Sequence, residues 1–298
     1  MPLAVIAVAL ACARAPAAGP RAAARLWIGG DVFLGAAPAG LLAGVASVEK
    51  GRAGVINLEG PVGAAAAPGG GIRLVQPPAA LEELRRAGVK VALIANNHAQ
   101  DAGPGGDART AEAARGAGLV PAGGPAGIGL LEGGGVRIAV TAHDLTPGVP
   151  AALGGELAAA RARADVLIAT FHVTGPPLYR PRPELEAAVE IALAAGAAVV
   201  AAEGTHALGK VERRGGAVIA WGLGNLVMAC GCTDETDGAL LEVDLDGQGA
   251  PGAAVVPVEA GLQGHPASAA AEDATGIYEL LERLGSSPLR PEGPRARF

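Results

Sequence analysis

Aromatic residues make up only 2% of this 298-residue chain, and lysine appears just at Lys50, Lys90 and Lys210 among many arginines. That pairing reads as a G+C-rich coding bias, so the shortage of aromatics carries no functional message. An excess of basic charge is also lacking. With 23 basic and 29 acidic residues the net charge is −6, and no basic stripe interrupts it, which removes the electrostatic case for binding nucleic acid. Three cysteines, Cys12, Cys230 and Cys232, are too few for a disulfide framework. Cys230 and Cys232 are expected in a surface loop, incidental to function. No internal repeat is visible. The glycine-rich pieces "AGPGGD" and "PAGGPAG" lack the spacing and the lysine of a phosphate-cradling loop, which excludes nucleotide binding of that kind.

Half of the residues are hydrophobic, enough for one large core or two modest ones. The first dozen, "MPLAVIAVALAC", are too few to span a bilayer comfortably. They resemble the apolar part of a secretory signal, and "ALAC" offers a loose lipoprotein-type cleavage site at Cys12, although no basic residue precedes the run. The expectation is export to the cell envelope, with residues 1–20 as leader and membrane association through a lipidated Cys12; a cytoplasmic location stays open. Later apolar runs are all short and broken by glycine or polar residues, so none reads as a transmembrane helix.

From residue 25 onward one pattern recurs: a short apolar run, then a polar residue able to bind or catalyse. The runs are "RLWIGGD" ending at Asp31, "AGVINLE" at Glu59, "VALIANNH" at His98, "RIAVTAHD" at His143 and Asp144, "DVLIATFH" at His172, "VVAAEGTH" at His206 and "AVIAWGLGN" at Asn225. Continuous runs of this length suit strands buried on both faces. Helical segments separate several of them. "PAALEELRRAG" sets Leu81 and Leu84 on one face, and "RPELEAAVEIALAAG" sets Leu185, Val189 and Leu193 on another. Strands alternating with helices predict an α/β fold, in which sites form at the carboxyl ends of strands. Four of the five histidines fall there, and only His265 lies beyond. "PVGAAAAPGGG" predicts a flexible loop near that edge, "DATGIYELLERLG" a last helix within 266–285, and "SSPLRPEGPRARF" a disordered tail over 286–298.

Asp31, Glu59, Asn97, His172 and His206 offer only oxygen and nitrogen, a set suited to Mn, Fe or Zn. A carboxylate can bridge two cations about 3.5–4 Å apart that activate water and clamp a phosphoryl oxygen, while a nearby histidine protonates the leaving group.

At these residues the chain resembles a known family. "GGDVFLG", "INLEGPV", "IANNHAQDAG" followed by Thr110, the histidine of "ATFHVTG", and "WGLGNLV" match in order the motifs of the CapA-like proteins of poly-γ-glutamate capsule synthesis, a branch of the calcineurin-like metallophosphatases. The resemblance covers roughly residues 26–245, inside a domain expected over 25–265. It implies a four-layer α/β/β/α sandwich of two mixed sheets with metal between the strand ends. By motif, Asp31 would bind one metal, Glu59 would bridge, and Asn97 and His172 would bind the other. His98 would donate the proton with Asp101 orienting it, whereas His143 and Asp144 would be structural. Two positions depart from the pattern. In "GTHALGKVE", His206 and Glu212 match, but Gly204 stands where the family has a first histidine, and Glu203 on its strand is expected to point away. "HVTGPPLY" lacks the usual tryptophan after the histidine. The resemblance therefore implies one tight divalent metal with the second in doubt.

Two functions remain in view. One is an exported metal-dependent phosphoesterase acting on an anionic polymer or a phosphorylated small molecule. The other is a non-catalytic envelope binding or assembly protein on the same fold. A cytosolic sheet-and-helix enzyme without metal is a third alternative.

Overall fold

The computed structural model describes residues 23–35, 40–64, 71–175, 179–261 and 266–298. The expected leader with Cys12, most of the 61–71 loop, and His265 lie outside these residues. In chain order the elements are β1 (Ala24–Phe33), α1 (Ala43–Val48), β2 (Ala53–Leu58), α2 (Ala79–Arg86), β3 (Val89–Leu93), α3 (Gly106–Gly116), β4 (Val120–Ala122), β5 (Gly129–Gly133) and β6 (Val136–Asp144). There follow α4 (Leu153–Ala162), β7 (Val166–His172), α5 (Pro183–Ala194), β8 (Val199–Glu203), β9 (Val211–Arg214), β10 (Ala217–Ala220) and β11 (Asn225–Met228). The chain ends with β12 (Asp237–Leu245), β13 (Gly252–Glu259), β14 (Ala267–Ser268), α6 (Ala271–Arg283), β15 (Arg290–Glu292) and β16 (Arg295–Arg297). Among the described residues no helix is long and apolar enough to cross a membrane.

The strands form two mixed sheets. One runs β15-β16-β13-β12-β1-β2-β3-β4, with β11 beside β1 and β14 beside β13; the other runs β5-β6-β7-β8-β10-β9. Strand alternation sorts the apolar residues into three layers of core. Leu26 and Ile28 of β1, Val55 of β2, Ile168 of β7 and Val199 and Ala201 of β8 meet between the sheets. Trp27, Ile56 and Leu58 face outward onto Leu81 and Leu84 of α2 and Ala111 and Ala114 of α3. Leu167, Ala169 and Val200 face the opposite way, onto Leu153 and Leu157 of α4 and Leu185 and Val189 of α5. The order is α/β/β/α, as the motifs imply. Leu193, expected in the core, is only partly buried, and Ala192 takes the interior place on α5.

Three expectations need correction. "AVIAWGLGN" is not one strand: β10 belongs to the second sheet, the chain crosses at Trp221–Gly224, and Asn225 opens β11 in the first. The C-terminal segment is not a disordered tail. Ala296 is fully buried and pairs opposite Val255, Arg295 binds Glu242 at 2.7 Å, and the hydroxyls of Ser286 and Ser287 accept the amide N–H groups of Val211 and Arg213. These partners are remote in sequence, so the polar, Pro-rich composition hid them. Cys230 and Cys232 form a disulfide; their Cα atoms, 5.2 Å apart, lie within bridging reach.

Candidate metal centre

The carboxyl ends of β7 and β8 in one sheet face β1, the end of β2 and the loop after β3 in the other. Asp31 sits inside β1 rather than at its end, where the pairing with β2 shifts register. The glycine before it is a packing requirement: a Cβ on Gly30 would lie 1.9 Å from the Gly224 carbonyl oxygen, the same carbonyl that accepts the Asp31 amide at 3.2 Å. Asp31 is fully buried. Its carboxylate accepts the Gly204 N–H on both oxygens, at 3.1 and 3.0 Å, and the Asn57 amide at 2.8 Å.

Glu59 follows β2 directly, and alternation places Asn57 and Glu59 on one face while Ile56 and Leu58 turn to the helices. His172 closes β7. One ligand atom each from Asp31, Glu59 and His172 lies within 4.8 Å of the others, and all three residues are buried. Asn57 Nδ2 stands among them, 2.8 Å from Asp31 Oδ1, in a short contact with Glu59 Oε2, and 3.2 Å from His172 Nδ1. His172 Nε2 lies 2.8 Å from Asn97 Oδ1, so the ring donates to Asn97 and receives from Asn57. Asn96 fixes the arrangement by donating to Asn57 Oδ1 at 3.1 Å and to the Leu58 carbonyl at 2.9 Å.

The proton balance follows from burial. Desolvation pushes the Glu59 carboxyl well above the usual range, and the Asp31 charge adds to it. Desolvation also lowers His172 to about 4, against the attraction of Asp31 and Asp144, leaving a neutral imidazole suited to ligation. Burial opposes charge on His206 too, yet its hydrogen bond to Asp31 and the attraction of that carboxylate raise it to about 9. In Asp31 desolvation pushes the carboxyl up, but the same contact, together with His172 and the Asn57 hydrogen bond, holds it below its ordinary value. His206 Nδ1 lies 3.2 Å from Asp31 Oδ2 and 2.8 Å from Asn225 Oδ1, with a left-handed backbone, φ 56°. Such conformations at a non-glycine residue cost energy and cluster at functional sites.

His98 is half-buried, with Nδ1 2.7 Å from Asp101 Oδ2; the same oxygen accepts the Leu74 amide at 2.7 Å. Asp101 is thus anchored and orients the imidazole. All seven residues singled out in the sequence therefore occupy one region. Asn57, Asn96 and Asn225 were not assigned roles there, although the strand parity within "INLE" marks Asn57.

Two residues differ from expectation. Glu203 does not point away. It has the parity of Val199 and Ala201, faces the space between the sheets, and pairs in register with His172. It is buried, and its Oε1 has no hydrogen-bond partner among the described residues. Desolvation, helped by Asp31 and Glu59, raises its carboxyl well above the usual range. At Gly204 φ is +88°, and an added Cβ would lie 2.6–2.9 Å from three atoms of the His172 ring. Position 204 has no room for a side chain.

Residues 37–229, more than half the chain, match the family model of the bacterial capsule synthesis protein PGA_cap. No curated protein gives a significant match. Among solved structures, a hypothetical protein from Thermus thermophilus is similar at 18% identity and TM-score 0.49, covering 78% of this chain and 97% of that one. A single-site mutant of Vps29 from Entamoeba histolytica is similar at 11% identity and TM-score 0.29, covering 72% and 98%. At these scores neither likeness bears on function.

Proposed function

The chain belongs to the bacterial capsule synthesis protein family PGA_cap, and from that premise we propose that it is a metal-dependent phosphoesterase of cell-envelope polymer synthesis that works with one tightly held divalent cation. The observation that carries the reading is the convergence of buried acceptors from Asp31, Glu59 and His172 on the amide nitrogen of Asn57. That nitrogen has two hydrogens for three acceptors, and the Glu203 carboxyl nearby has an oxygen without a partner. A buried set short of positive charge and rich in oxygen and imidazole donors fits Mn, Fe or Zn.

Asp31, Glu59 and His172 would hold the cation, with Asn97 beside His172. A divalent cation in such a site polarises a phosphoryl oxygen and generates a nucleophile from water at neutral pH. His98, held by Asp101, delivers a proton from its free Nε2 to the departing oxygen. His206 keeps its proton on the Asp31 side and holds that carboxylate in place. The substrate is a phosphorylated small molecule or an anionic polymer, met in the envelope after export and lipidation at Cys12.

The test is metal content of purified protein, with hydrolysis of phosphomonoesters and diesters under added Mn²⁺. The expected result is bound metal in wild type, loss of metal in Asp31→Asn, and retention of metal with a rate loss of about 10²–10⁴ in His98→Ala. Absence of metal together with absence of hydrolysis would overturn it. The tight packing at Gly204, which closes the position of the family's first histidine, favours one second reading, a binding or assembly protein without turnover. Bound metal with no hydrolysis of any ester selects it.

A further inference from the structure

Beside the metal centre lies a cavity of about 670 Å³, within the range of small-molecule sites. Its floor is the end of β6, where β5 no longer pairs: β5 covers Val136–Val140 only, so Thr141, His143 and Asp144 lie past the last rung. The roof is the loop that carries Asn97 and His98, contributing Asn96, Ala99 and Gln100. Asp144 pairs in register with His172, so the cavity and the metal centre share a wall.

The charged side chains on this wall are acidic. Asp107, Asp144 and Glu156 contribute carboxylates, and the lining contains no lysine or arginine. Thr141 is 4% exposed, and its hydroxyl is buried without a partner among the described residues. His143 Nδ1 lies 3.5 Å from Glu156 Oε2, and its Nε2 is also buried without a partner among the described residues. Buried polar atoms are normally paired, and the three acidic side chains of this wall have no lysine or arginine among them. A ligand that brings several N–H hydrogens and a positive charge satisfies both conditions at once. A carboxylate polymer would not.

We propose that this cavity binds a primary ammonium group carried by the substrate, on the far side of the phosphoryl group taken by the metal centre. The substrate class is then a phosphate ester of an amino alcohol or amino sugar. The phosphoryl end of this statement rests on the phosphoesterase reading; the ammonium end does not.

The two are separated by testing binding on full-length protein stripped with EDTA. Calorimetric titration compares propylammonium chloride with 1-propanol at fixed ionic strength. Saturable binding of the amine, at least tenfold tighter than the alcohol, is expected, weakened threefold or more by Thr141→Val and by the half-exposed Glu156→Gln, and unchanged by Glu279→Gln on α6. Equal binding of amine and alcohol, no saturable binding, or amine binding indifferent to both cavity variants would overturn the proposal. With Mn²⁺ restored, 2-aminoethyl phosphate is expected to show a lower KM than ethyl phosphate in wild type and no advantage in Glu156→Gln. If neither ester is hydrolysed while the amine still binds, the phosphoesterase reading falls and the ammonium site stands.

Discussion

Placing a side chain at Gly204 tests whether its absence is an accident or a packing necessity. If the histidine expected there from the motif had merely been lost, Gly204→His would rebuild a second metal ligand. The geometry predicts the opposite. With φ at +88°, an L-residue pays about 1–2 kcal/mol for the left-handed backbone. Its Cβ would lie 2.6, 2.7 and 2.9 Å from Cε1, Nε2 and Nδ1 of His172, and overpacking of this kind costs a further ~1–3 kcal/mol. Even Gly204→Ala should therefore lose about 3 kcal/mol in urea unfolding with EDTA present. Because His172 is the group that must give way, Mn²⁺ affinity should fall about 10–100-fold by calorimetry, and Gly204→His should do no better than alanine. An alanine variant within about 0.5 kcal/mol of wild type with unchanged Mn²⁺ affinity would refute the reasoning.

Glu49 is buried near Arg52 and Glu242, with no hydrogen-bond donor on either carboxyl oxygen among the described residues, and desolvation, with the Glu242 charge, raises it from 4.5 to about 7. The folded protein thus holds a proton that the unfolded chain has released, so stability falls as pH rises from 4.5 to 7, by about 2–3 kcal/mol; urea titrations across this window should show the slope, and Glu49→Gln should remove that part of it. Asn57→Leu takes the shared donor from Asp31 and Glu59 and should cost about 3 kcal/mol in EDTA, a loss that shrinks under saturating Mn²⁺ if a cation occupies the same place. Deleting residues 286–298 strips the Arg295–Glu242 pair and uncovers β13, and should lower the thermal midpoint by several degrees; an unchanged midpoint would mean that the hairpin contributes nothing.

The layers were legible because apolar runs ending in polar residues carry both the strand and the edge at which it stops. "DVLIATFH" maps onto β7 within one residue, and "VVAAEGTH" onto β8 with its last three residues beyond the strand. Parity inside a strand is legible as well: Val55, Asn57 and Glu59 share one face, as do Val199, Ala201 and Glu203. What could not be read locally depended on distant partners. The break at Trp221–Gly224 arises because the chain changes sheets, and the C-terminal hairpin is ordered by Glu242, Val211 and Ala253, some 40 to 90 positions away. The conflict between Gly204 and His172 also needs two strands in register before it can be seen.

The number of cations follows from the lone pairs of Asp31. Its Oδ1 accepts Asn57 and Gly204, and its Oδ2 accepts Gly204 and faces His206. The Gly204 N–H is backbone, fixed by the turn after β8, so a cation cannot displace it without unfolding that turn. Asn57 is a side chain standing among the acceptors of Asp31, Glu59 and His172, and one cation would take the place of its amide there. On the opposite side a second cation would have to expel the protonated His206 from Asp31 and Asn225, and no side chain at 204 replaces what is lost. Calorimetric titration of the full-length protein with Mn²⁺ should therefore give one tight equivalent. Two equivalents of similar affinity would show that these donors hold a second cation, and the single-cation scheme would fail.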